Sequence, residues 1–205
     1  MRCVVTGSFV YLNRFQIEFE NISYVRLAEK KGETLPMSEK DFIPKKKTEV
    51  DIELRNVIES DLPIFFEHQL DPEANYMAAF TAENPSDRAA FLKKMSKILA
   101  DENVHIKTVI YKKQVAGHIL CHNWFDEPEI SYWIGRQFWG KGIATEALTN
   151  FLNQIKIRPL LARVVKDNTG SIRVLEKCGF VKHSEDSGFA NARVKEVGEF
   201  IFKLE

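Results

Sequence analysis

No stretch of this sequence stays apolar for the roughly 20 residues that a membrane-spanning helix needs. The early apolar stretch, residues 3–12, is too short and too polar for the core of a secretory signal, and no small-residue cleavage site follows it. Cysteine is scarce and odd in number. Cys3, Cys121 and Cys178 stand at unrelated spacings, which implies neither a disulfide framework nor a zinc site and suits a reducing cytoplasm. An excess of one charge is also missing, because Lys+Arg and Asp+Glu both total 29. That balance removes any overall pull towards nucleic acid or an anionic membrane. The interleaved aromatic and basic residues of a stacking platform for bases are lacking too. No nucleic-acid or membrane partner is therefore expected, and the expected location is cytoplasmic. Internal repeats are absent.

What is present is the composition of a soluble globular protein, 44% hydrophobic and 28% charged. A length of 205 residues suits one domain with an extra segment. That segment is residues 1–47. Its apolar patches join no clear period, and Pro36, Pro44 and Lys45-Lys46-Lys47 read as linker. Lys30-Lys31-Gly32-Glu33 is what a purine-rich ribosome-binding site would give if translated, so residues 1–36 are expected to lie upstream of a natural start at Met37. The competing reading is an extra strand or an arm that supports a homodimer.

From residue 48 to 205 the pattern is orderly. Residues 50–57 alternate apolar and polar, as in a half-buried strand. Ser60-Asp61 is a capping pair for a helix starting near Leu62-Pro63, which Asp71-Pro72 then breaks. Ser86-Asp87 caps a helix over 88–100, whose apolar face reads as Ala89, Leu92, Met95 (or Ser96) and Leu99. Strands are expected at 104–111, 114–123 and 129–134, then a helix over 144–156 and a buried strand at 160–166. A short helix over 171–177 and strands near 180–183 and 194–203 complete an α/β (α+β) domain with a mixed sheet.

The most informative segment is Trp133-Ile-Gly-Arg-Gln-Phe-Trp-Gly-Lys-Gly-Ile-Ala-Thr-Glu-Ala-Leu148. It runs from a strand straight into a helix, with Gly140 and Gly142 at the helix start. Glycine allows a tight turn and a close approach to a ligand. The first N–H groups of the helix have no intrahelical partner and lie at its positive end. The combination suits phosphate, to which Lys141 and the Thr145 hydroxyl can add; the bland alternative is a tight connection with no ligand. Gly135 to Lys141 also matches G-x-x-x-x-G-K, yet Gly142 stands where a nucleotide-binding loop needs Ser or Thr for magnesium.

Here the sequence resembles a known family. Trp139-Gly140-Lys141-Gly142-Ile143-Ala144 is similar to the Q/R-x-x-G-x-G/A acetyl-CoA signature of GNAT acetyltransferases, with Trp139 in place of Gln or Arg. A second block, from Asn168 and Ser171 through Leu175 and Lys177 to Gly179-Phe180, resembles the family's N-x-x-S…L-x-K-x-G-F block. The resemblance spans residues 50–205 and lies nearest the ribosomal-protein alanine N-acetyltransferase branch. It implies the GNAT fold, a mostly antiparallel sheet whose two central strands splay apart to admit the pantetheine arm. It also implies acetyl-CoA as donor, no metal, and direct acetyl transfer to a primary amine (a protein N-terminus or a small molecule). Backbone groups near Tyr132 and Ile134 are expected against the thioester arm, as an oxyanion-type site. The phosphate set is Trp139, Gly140, Lys141, Gly142, Ile143, Ala144 and Thr145. Asn168 is expected at the cofactor or the acceptor, or as a plain turn residue.

Attack by an amine needs a base. Glu129 is the first candidate, set against a solvated strand end, and His122 the second. The resemblance also asks for a donor to the departing thiolate, and with no tyrosine between Asn168 and Phe180 the expectation falls on Ser171, otherwise an N-cap. His118, Cys121 and His122 are not a metal site, since positions 118 and 122 of a strand are about 13 Å apart at roughly 3.3 Å per residue. Phe65-Phe66, Phe91 and Trp124-Phe125 are expected in the core or in the acceptor pocket, and Lys93-Lys94 and Lys97 on a solvated face. The alternative function is a GNAT-like module that holds acyl-CoA without turnover.

Overall fold

Strand alternation and helix spacing place the apolar residues on two faces of one sheet. The structure, a computed structural model, describes residues 50–124 and 127–205. The expectations for residues 1–47, including the start at Met37 and the dimer arm, lie outside the described residues, as does Phe125. In chain order the strands are β1 (Ile52–Arg55), β2 (His105–Tyr111), β3 (Gln114–His122), β4 (Glu129–Ile134), β5 (Leu160–Val165), β6 (Val181–Ala190) and β7 (Lys195–Leu204). The helices are α1 (Leu62–Gln69), α2 (Pro72–Ala78), α3 (Arg88–Ala100), α4 (Ile143–Gln154) and α5 (Thr169–Glu176). The strands form one seven-stranded sheet in the order β1-β2-β3-β4-β5-β7-β6. Every neighbouring pair is antiparallel except β4 with β5.

Period-2 alternation divides the side chains. Ile119, Cys121, Ile130 and Ile134 face α4 and α5, where Leu148, Phe151, Leu175 and Phe180 close the main core. Leu120, one residue out of phase, faces the opposite layer and packs with Phe65 of α1 and Phe91, Met95 and Ile98 of α3. The face of α3 therefore differs from the expected one: Leu92 and Leu99 remain exposed. Both sets have helical spacing, and the apolar partners waiting on α1 and β3 decide between them.

Two further corrections matter for the site. Asp61 does not cap α1. Its buried carboxylate accepts from both Arg55 Nη atoms at 2.6 and 2.7 Å, from Thr108 Oγ1 at 2.7 Å and from the Ile58 amide at 3.0 Å. Burial would raise its pKa, but these donors and the Arg55 charge hold it below the ordinary carboxylate value. Likewise, Asp71-Pro72 does more than end α1. Asp71 accepts from the Ala74 amide at 2.9 Å and opens α2, with proline tolerated in its first turn. Asp87, by contrast, caps α3 as expected, accepting from the Ala90 amide at 2.9 Å.

Candidate functional site: a groove at the splayed strands

The opening in the sheet follows from pairing. β4 pairs with β3 along its whole length, from His122↔Glu129 to Gly117↔Ile134. With β5 it shares one register, Glu129↔Leu161, beside the 2.8 Å bond from the Leu161 amide to the Pro128 carbonyl. Beyond that point the strands diverge, and residues 130–134 present an edge with no strand partner among the described residues.

A cavity of about 500 Å³ fills the divergence. It brings both sequence blocks together. Tyr132 and Ile134 border it from β4, and Trp139, Gly140, Gly142, Ile143, Ala144 and Thr145 from the turn and the first residues of α4. Asn168 and Ser171 border it from the start of α5. Gly140 and Gly142 take φ of +72° and +77°, the left-handed region that glycine enters without steric cost. Among the described residues nothing lies within 4 Å of where a Gly140 Cβ would point. Among the described residues no side chain caps α4, so its first amides keep their capacity for a ligand. These residues fit the diphosphate of a coenzyme at the positive end of a helix.

The departure at Trp139 has a structural account. Its indole Nε1 donates to the Ile134 carbonyl at 2.8 Å, pinning the turn to the end of β4. Lys141 is the exception in the expected set. It does not border the cavity, and its Nζ donates instead to the Gln137 carbonyl at 2.6 Å. Cationic lining comes from Arg173 of α5 and from Lys177, the residue that closes it. Sequence reasoning missed Arg173, although its spacing of four from Lys177 on one helix face was the available signal. Ala74, Met77 and Ala78 were missed with α2 itself.

Ser171 is not the N-cap of α5. Asn168 is, accepting the Ser171 amide at 3.1 Å on Oδ1, while its Nδ2 donates to the Met77 carbonyl at 3.1 Å. Asn168 thus ties α2 to α5 across the groove. The Ser171 side chain is left beside the Tyr132 phenol. Burial holds that phenol well above its ordinary pKa, against an opposing interaction with Ser171.

On the other face of β4 lies a second cavity of about 650 Å³, lined by α1, α3, the segment around Phe80–Asp87 and β3. Tyr132 and Trp133 border both cavities, so the β4 edge is their common wall. His118 and His122 project into the second cavity from one face of β3, while Cys121 packs in the opposite core. Among the described residues no cluster of three or more His, Cys, Asp or Glu is placed to hold a metal ion. No helix among them is long and apolar enough to cross a membrane.

Burial first, then the charges of Lys94 and His68, push the His118 imidazole down to about 3. Burial and Lys94 push His122 down to about 4. Both rings are neutral near pH 7. For each, the unfolded chain, with its imidazole near 6.5, takes up a proton that the folded chain refuses. Stability is therefore complete above pH 6.5 and falls as the pH drops towards the folded values. Urea denaturation between pH 7.5 and 4.5 should show this fall, and His118→Gln should remove up to about 1.4 kcal/mol per pH unit of the slope.

Glu129 is not the solvated strand end that was the alternative to its role as base. It is 1% exposed, borders neither cavity, and its Oε2 accepts from Arg163 Nε at 3.1 Å. Arg163 Nη1 reaches Asp186 at 3.1 Å and Glu199 at 3.4 Å. The guanidinium joins strands on either side of the opening, at its closed end.

The family model described as "Acetyltransferase (GNAT) domain" matches residues 51–181, well over half of the chain. The chain belongs to the GNAT acetyltransferase family. Among curated relatives, this acetyltransferase is 24% identical over 163 residues to an uncharacterized N-acetyltransferase, p20, of Bacillus licheniformis. That match covers 74% of this chain and 90% of p20. Among solved structures it shares its fold with the microcin C7 self-immunity acetyltransferase MccE in complex with acetyl-CoA and AMP, at a TM-score of 0.63 and 18% identity over 75% of this chain and 91% of that one. RimJ of Mycobacterium smegmatis, in complex with CoA-disulfide, gives a TM-score of 0.63 and 17% identity over 75% of this chain and 81% of that one.

Proposed function

We propose that this acetyltransferase moves an acetyl group from acetyl-CoA directly to a primary amine. The observation that carries the reading is the pair of cavities meeting at Tyr132 and Trp133, one with a helix-end anion cradle and the other apolar and lined by neutral imidazoles. The solved MccE complex, which holds acetyl-CoA on the same fold, supports acetyl-CoA as the donor.

The amides at Ile143, Ala144 and Thr145 hold the diphosphate at the positive end of α4, and Arg173 and Lys177 add charge on the α5 side. The open edge of β4 near Tyr132 and Ile134 lies against the thioester arm, and its N–H groups favour the developing negative charge. Bound acetyl-CoA supplies an activated acetyl thioester. The acceptor amine enters from the 650 Å³ side, where an apolar wall favours its uncharged form and His122 is a neutral proton acceptor. The Ser171 hydroxyl, beside Tyr132, donates to the departing thiolate.

Calorimetry with acetyl-CoA, followed by thiol release across amines and N-terminal peptides, tests the whole reading. Absence of acetyl-CoA affinity in folded protein ends it. Ser171→Ala should lower kcat about tenfold or more while the KM for acetyl-CoA stays nearly constant. Unchanged turnover at saturation removes Ser171 from the chemistry.

A further inference from the structure

One stretch of chain, residues 76–81 at the end of α2, helps to wall both cavities. Met77 and Ala78 border the groove, while Phe80 and Thr81 border the second cavity. Ala79, between them, is buried and takes φ of +59°, a value that a residue with a Cβ keeps only where its surroundings fix it. A shift of this stretch would reshape both cavities at once.

The last carbonyls of a helix have no partner within it, and the irregular chain beyond needs partners too. Here they are met from outside α2, chiefly by the turn Asn191–Arg193 that joins β6 to β7. Three consecutive residues of that turn each donate to the stretch: Asn191 Nδ2 to the Thr81 carbonyl at 2.8 Å, the Ala192 amide to the Ala79 carbonyl at 3.2 Å and Arg193 Nε to the Tyr76 carbonyl at 2.8 Å. Arg193 does the most. Its side chain is 4% exposed, its guanidinium lies 4.2 Å from the centre of the Tyr76 ring, and its Nη1 and Nη2 donate to Asp167 at 2.7 and 3.0 Å. Asp167 directly precedes Asn168, the cap of α5, so one guanidinium fastens the end of α2 to the start of the second sequence block. Arg193 itself borders neither cavity.

We infer that Arg193 is a positioning residue for acetyl-CoA, holding residues 76–81 where Met77 and Ala78 complete the groove. The role rests on the acetyl-transfer reading, since acetyl-CoA is the ligand served. Without the guanidinium, the Tyr76 carbonyl and the Asp167 carboxylate turn to water separately, Ala79 relaxes, and the wall of the groove moves.

Hydrogen exchange and calorimetry on the full chain test this. In wild type, acetyl-CoA should slow amide exchange by about threefold or more at 76–81 and at 191–194 alike, although that turn borders neither cavity. Slowing confined to cavity-lining residues overturns the inference without any variant. Arg193→Gln should bind acetyl-CoA about tenfold more weakly and exchange faster at 76–81, with protection in β5 unchanged. Arg193→Lys keeps a charge beside Asp167 but cannot span Asp167 and Tyr76 together, so it should recover only part of the affinity. Glu185→Gln, which removes ion pairs to Lys166 and Lys182 near the other end of the same hairpin, should stay within about twofold of wild type. Wild-type affinity in Arg193→Gln, or an equal loss in Glu185→Gln, overturns the inference and leaves acetyl transfer standing. No acetyl-CoA binding by folded wild type ends the acetyl-transfer reading, and the role of Arg193 falls with it.

Discussion

Gly142→Val should weaken acetyl-CoA binding by about a hundredfold, or about 2.7 kcal/mol, while leaving the domain folded. Gly142 sits at φ +77° immediately before α4, and a Cβ there would meet Val50 Cγ2 at 3.2 Å. An L-residue in the left-handed region loses roughly 1–2 kcal/mol, and a β-branched one fares worse. The chain escapes by re-forming the turn, and that moves the first amides of α4, which the cradle needs in place. The main core below, from Leu148 to Phe180, does not depend on the turn for its packing. Circular dichroism should therefore report a native spectrum while calorimetry reports the lost affinity. Gly140→Ala is the graded control. It takes the same left-handed penalty at φ +72°, but its Cβ points into open space, so about a tenfold loss is expected. Wild-type affinity in Gly142→Val would refute the cradle.

That turn was legible in the sequence because its determinants are local. Two glycines between a strand pattern and a helix pattern state the geometry within ten residues, and Trp139 merely replaces one way of fixing it with another. The strands were legible for the same reason, through alternation. Even the divergence of β4 and β5 followed once the family resemblance was in hand.

What stayed hidden depends on partners distant in sequence. Asp61 reads as a helix cap until Arg55 and Thr108, on β1 and β2, claim its carboxylate. The α3 stripes Ala89–Leu92–Met95–Leu99 and Phe91–Met95–Ile98 are both periodic and share Met95, and only the apolar surface of α1 and β3 chooses the second. Asp71-Pro72 both ends and begins a helix, because proline is tolerated in a first turn and excluded from a helix interior. Missing α2 hid the side of the groove that Met77 supplies. The burial of Glu129 was hidden too, since nothing near it in sequence announces Arg163.

Arg163→Met should be the most destabilising single change in the domain outside the apolar cores. Removing one partner of a buried ion cluster typically costs about 3–5 kcal/mol, because the remaining charges keep their burial and lose their counter-ion. Here the remaining charges include Glu129 at 1% and Glu199 at 0% exposure. For a domain of this size the expected fall in Tm is about 10 °C or more. The sign of its pH dependence separates electrostatics from lost packing. Without the guanidinium, the buried carboxylates bind protons more readily in the folded than in the unfolded chain. The variant should then gain stability relative to wild type as the pH falls from 8 towards 5, and lose it as the pH rises. Melting both proteins across that range checks it, with Glu129→Gln added to Arg163→Met expected to recover part of the deficit at pH 8. A deficit that ignores pH would mean that Arg163 acts through its hydrophobic stem. A pH-dependent deficit would identify the cluster as the clasp at the one register where β4 and β5 still pair, and so as the apex from which the groove opens.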